Sequence, residues 1–95
     1  MSKKEEVSKK IYEILCEYEF LDVALEKSDE LIDLLLLRGA YEACDLYNAG
    51  GISLDDAIFK GVIVIEDAIC VQFSEKGRNF YCDKIRERIC FESEL

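Results

Sequence analysis

The sequence predicts a mainly helical domain carrying one small β-hairpin, an α+β order of helices, two short strands and a closing helix. Three observations lead there. Apolar residues recur at helical spacing through most of the chain, serines stand where those stripes begin, and the period changes at one place, the β-branched run VIVIEDAICVQF at 62–73. Hydrophobic residues make up 51% of the 95 residues and charged ones 35%, enough apolar side chains to form a core in one domain over 1–95.

Ser2 is the expected cap of the first helix, with Glu5 and Glu6 near its positive end and Val7, Ile11, Ile14, Leu15 and Tyr18 as its inner stripe. The apolar stretch 20–25 is a short second helix or a packed connection. Ser28 with Asp29 and Glu30 opens the next helix, whose leucines 34–37 point all round the axis and call for burial on several sides. Gly39 interrupts or bends that pattern, which resumes at Ala40 and stops at Gly50-Gly51. Ser53 caps a short helix that Lys60-Gly61 closes. Strands at 62–65 and 68–73 follow, joined by a turn at Glu66-Asp67. Ser74 then caps a last helix with Tyr81, Cys82, Ile85 and Ile89 inward.

The chain lacks His, Trp, Pro and Thr, which removes histidine acid–base chemistry, histidine metal sites and the Ser-His-Asp arrangement. Five cysteines stand far apart with no CxxC, so neither a zinc ribbon nor a thioredoxin motif is present, and the expectation is reduced thiols packed as small hydrophobes. The start MSKKEEVSKK does not resemble a signal peptide and no apolar run is long enough to span a membrane, so a cytoplasmic protein is expected. Few amides and many Glu and Lys point to heat adaptation. Asp55-Asp56 and Glu66-Asp67 are paired carboxylates, but capping and turn formation account for both pairs. No phosphate-binding glycine loop exists, so no enzyme, cofactor, metal or small-molecule ligand is expected.

From Ala40 onward the sequence resembles the winged helix-turn-helix domains of archaeal and bacterial transcriptional regulators. GISLDDAI (51–58) and KGVIVIEDAICVQFSEKGRNF (60–80) carry the resemblance, FSEKGRNF most specifically. It implies a recognition helix at 53–60, a wing tip at Glu66-Asp67, and duplex DNA as partner, with Ser53, Lys60, Lys76 and Arg78 as the contacting residues. A second placement uses 28–38 and 40–49 as the helix pair, turning at Gly39.

Charge supports an alternative. The chain is net −9, and residues 17–69 hold 13 acids against 3 bases. Such a surface is repelled by phosphate. The alternative is an acidic protein-interaction module, homodimeric or partner-binding, meeting its partner through the leucine-rich helix or the Ile11/Tyr18 side.

Overall fold

A computed structural model describes residues 2–92, with side chains through residue 89. Five helices follow one another: α1 (Lys3–Glu17), α2 (Leu21–Lys27), α3 (Asp29–Ala49), α4 (Leu54–Ile69) and α5 (Glu75–Glu92). No strand occurs among the described residues, so the fold is all-α, and the expected α+β class and winged helix-turn-helix resemblance are both overturned.

The serine caps fall where the sequence places them. Ser2 accepts from Glu5 N–H, Ser28 from Leu31, Ser53 from Asp56 and Ser74 from Gly77, each at 3.1–3.2 Å. Each satisfies a donor that the first helical turn leaves unpaired. Gly50 and Gly51 take φ of 86° and 90°, a conformation that ends α3 and that side chains resist.

The departure lies in 60–73. Residues 62–69 continue α4 in place of forming a strand and a turn. Its buried residues are Ala57, Ile58, Gly61, Val62, Ile65, Glu66 and Ile69, an alternation of one- and three-residue steps that marks one helical face. The magnitudes explain the outcome. Strand preference spans about 1 kcal/mol over the whole residue scale. Full burial of one Val or Ile contributes about 1.5–3 kcal/mol, and the helix buries Ile58, Val62 and Ile65 completely. Packing therefore overrides the local preference of a β-branched run.

Gly61 does not close the helix. It lets α4 cross α3 at Gly39, so closely that a Cβ on Gly61 would lie 2.5 Å from the Gly39 carbonyl oxygen. Gly39 for its part leaves α3 unbroken, so the second helix-turn-helix placement, which turns there, also fails. A Cβ at Gly39 would meet the δ-carbons of Ile65 and Ile85, both at 2.8 Å. Two glycines read as punctuation are in fact a contact point between helices.

α4 ends at Cys70, whose φ of 56° and ψ of 40° are left-handed. Val71 N–H donates to the Glu66 carbonyl at 3.1 Å and Cys70 N–H to that of Asp67 at 3.3 Å. This pair of bonds is a Schellman closure built without glycine.

α3 is the hub, packing against α1, α2, α4 and α5. Leu31 and Leu35 have no accessible surface, and Leu34, Leu36 and Ile11 are buried with them. The leucine-rich helix and Ile11 are thus taken up largely by the chain's own core, while Leu15 on the same helix as Ile11 and Tyr18 at its C-terminal end stay half-buried. The cysteines depart from expectation as well. Cys16 and Cys70 are exposed, Cys44 and Cys82 are half-buried, and these four form no disulfide with one another. The Cys90 side chain lies outside the described residues. Among the described residues, no helix is long and apolar enough to cross a membrane.

Candidate functional site

Because α4 runs unbroken to Ile69, it acquires an outer face that a short helix followed by a hairpin would not have. Ile52, Asp56, Phe59, Lys60, Ile63 and Val64 line an open groove of about 510 Å³ there. Phe59 is 47% exposed and Ile63 and Val64 are partly so. One turn further on, Ala68 lines a second hollow with Ser8, Ile11, Tyr12 and Leu15, where Tyr12 is 69% exposed. Val64 and Ala68 stand four apart on one side of α4, so the second hollow, which α1 helps to line, lies one turn along the helix from the first. Lys60 and Asp67 flank the Ile63/Val64 pair, both exposed and neither in an ion pair within the described residues.

The four residues assigned to DNA contact are scattered among different tasks. Ser53 is occupied as the cap of α4. Lys60 sits in the α4 groove, and Lys76 is exposed in the first turn of α5. Arg78 is turned inward. Its Nε lies 3.2 Å from Glu66 Oε1 and its Nη2 lies 3.3 Å from Oε2, while its guanidinium sits 5.9 Å from the Phe59 ring centroid. Arg78 sits over the Phe59 ring and Lys60 lines the groove beside that ring, but the four residues form no common surface. No wing exists for them to brace.

Glu66, assigned to a wing tip, is 4% exposed and is the one charged residue buried in the core among the described residues. Besides Arg78 it accepts a 2.6 Å hydrogen bond from Phe73 N–H. It therefore fixes the 71–74 connection and the start of α5 onto α4, which meets the rule that a buried charge needs a partner and full hydrogen bonding.

No family model, no curated protein and no solved structure matches the chain.

The remaining bases are largely committed to the fold. Arg86 pairs with Asp55, Arg88 with Asp33 at 3.8 Å, and Arg38 with Glu42 at 3.1 Å and Ser8 at 3.3 Å. Lys4 bonds Asp45 at 2.7 Å, and that bond raises the ammonium's pKa. These pairs join α1 to α3, α5 to α4 and α5 to α3. Every arginine is thus engaged with an acid, and the lysines left over, Lys3, Lys9, Lys10, Lys27, Lys60 and Lys76, lie on α1, α2, α4 and α5.

The carboxylate pairs diverge. Asp55 turns to Arg86 while Asp56 lines the groove, and Glu66 is buried while Asp67 is exposed. Among the described residues no three acidic or thiol side chains are grouped to hold a metal ion. Neither carboxylate pair is therefore brought to one point. What the arrangement does supply is apolar contact area framed by charge. The residues missed in the sequence are Phe59, Ile63 and Val64. Their signal was present as a second apolar row on α4, opposite the 58/62/65/69 row, but it is visible only when the helix is read through Gly61.

Proposed function

We propose that this chain is a cytoplasmic protein-interaction module and that another polypeptide docks on the outer face of α4. The observation that carries this reading is the exposed Phe59-Ile63-Val64 surface, with a second apolar hollow beside the exposed Tyr12, on an otherwise acidic chain. Contiguous exposed apolar surface rimmed by charge is a mark of an association site. The commitment of all arginines to internal pairs, together with a net charge of −9, argues against a phosphate-tracking surface.

The test is a photo-crosslinking amino acid at position 63, with the same group at Lys27 as control, irradiated in intact cells expressing the protein at low level. A discrete polypeptide adduct at 63 and none at 27 is the expected result. No adduct at 63 overturns the reading. So does micromolar binding of purified protein to random-sequence duplex DNA that weakens steeply with salt.

A further inference from the structure

We infer that the occupant of this face is a second copy of the chain, with the two α4 helices antiparallel about a two-fold axis between Ile63 and Val64. The inference rests on the interaction-module reading above and adds the partner to it.

Around the α4 axis, at 100° per residue, Lys60 and Asp67 fall within about 20° of each other, with Ile63 to one side and Val64 to the other. Both charges lie about 5 Å along the axis from the 63/64 midpoint, in opposite directions. A two-fold axis through that midpoint reverses the helix, so it sets Lys60 of each copy opposite Asp67 of the other and brings the four Ile63 and Val64 side chains together at the centre. An isologous interface must be self-complementary, because the same patch serves both sides. This patch is. Lys60 and Asp67 lie at equal distances from an apolar centre, and the groove's other acid, Asp56, lies about 11 Å along the axis, outside the pairing, on a chain where acids outnumber bases 21 to 12. The arginines of α5 and α3 are held in internal ion pairs, whereas Lys60 and Asp67 are left open. A basic partner would meet Lys60 as a misplaced like charge at the middle of the groove, and an acidic partner would meet Asp67. A second copy meets neither conflict.

The experiment is sedimentation equilibrium on the wild type, Lys60→Glu, Asp67→Lys, and an equimolar mixture of the two variants. The wild type is expected to dimerise at micromolar concentration. Each single variant sets two like-charge pairs across its own interface and is expected to lose about tenfold or more in affinity. In the mixture, the carboxylate introduced at position 60 of one chain faces the ammonium introduced at position 67 of the other. The unchanged Asp67 and Lys60 face each other at the second contact, so the heterodimer returns to wild-type affinity. Asp67→Lys is the sharper probe. It lowers the overall negative charge, so association governed by net repulsion would tighten, whereas the pairing predicts weakening. Both positions are exposed, and the circular dichroism of both variants is expected to match the wild type; the double variant carrying both changes restores opposite charges across the interface between two identical copies and dimerises, which separates pairing from misfolding. A wild type that stays monomeric at about 200 µM, far above a micromolar Kd, or a mixture no better than its components, overturns the inference. In the crosslinking experiment an adduct of twice the chain mass supports it. An adduct of another mass overturns it while leaving the interaction-module reading in place.

Discussion

Replacing Gly61 with alanine tests the crossing of α3 and α4 directly. The new Cβ would sit 2.5 Å from the Gly39 carbonyl oxygen, where ordinary contact begins at 3.4 Å, so the helices must part by nearly an ångström. Both positions are fixed by helix backbone, and neither atom has a rotamer to escape into. A gap of ~0.5–1 Å forfeits a quarter to a half of the dispersion attraction along the affected seam. Overpacking a core costs about 1–3 kcal/mol, and a rigid neighbour puts this case at the upper end. Against that, alanine gains about 1 kcal/mol over glycine in a helix interior. The net is about 2 kcal/mol of destabilisation, or a fall of about 8–16 °C in Tm for a domain of this size. Gly39→Ala is the control. Its closest neighbours are the flexible ends of the Ile65 and Ile85 side chains, and the rigid Gly61 carbonyl oxygen stands further off at 3.3 Å, so its cost is smaller than that of Gly61→Ala and is offset in part by the same helix gain. Urea unfolding followed by far-ultraviolet circular dichroism, with m-values compared to confirm the same transition, measures both. A neutral Gly61→Ala, or a Gly39→Ala that costs more than Gly61→Ala, refutes the close crossing.

Glu66→Ala leaves Arg78 and the Phe73 N–H without their acceptor; because Arg78 is about a third exposed, the expected loss is about 2–3 kcal/mol, below that of a fully buried pair, and Glu66→Gln should lose less. Chemical denaturation of both variants checks the order. Cys70→Gly relieves a left-handed residue and is expected to stabilise by about 1 kcal/mol in the same assay; destabilisation would mean that the thiol contributes more than its backbone strain costs. Burial pushes the Cys82 thiol up, an effect that Arg86 opposes in part and Asp83 and Asp55 reinforce. The folded state thereby favours the neutral thiol, so this contribution to stability is complete below the unfolded pKa and is lost as the pH rises through the folded one. Alkylation of Cys82, read by peptide mass spectrometry, is expected to reach half-maximum at higher pH in native protein than in urea; coincident profiles would refute the shift.

Much of the architecture was legible locally. Four serine caps, the Val7-Ile11-Ile14 stripe, the inward Tyr81 and Ile85 and the Gly50-Gly51 stop all depend on residues within about two turns of one another. What failed in 60–73 depends on distant partners. Gly61 is a helix end in isolation and a crossing point only when Gly39, twenty-two residues earlier, lies against it. Glu66 breaks an apolar run until Arg78 and the Phe73 N–H supply its hydrogen bonds. The winged helix-turn-helix resemblance inherited both misreadings, because it needed a turn at 66–67 and a short helix before it. The outer face of α4 was hidden by the same error, since Phe59 and Ile63 share a face only on one continuous helix.

The central position of α3 sets how the molecule would yield under load. α1 rests chiefly on α3 and α2, so tension on its outer end meets mainly those contacts, the Lys4–Asp45 ion pair and the hydrogen bond that Arg38 donates to Ser8. α5 grips both α3 and α4 and is moored through Arg78 to the buried Glu66. Drawn apart by its two flanks, the bundle should therefore shed α1 first, at low force. α3, α4 and α5 would then resist as one unit until the glycine crossing slips.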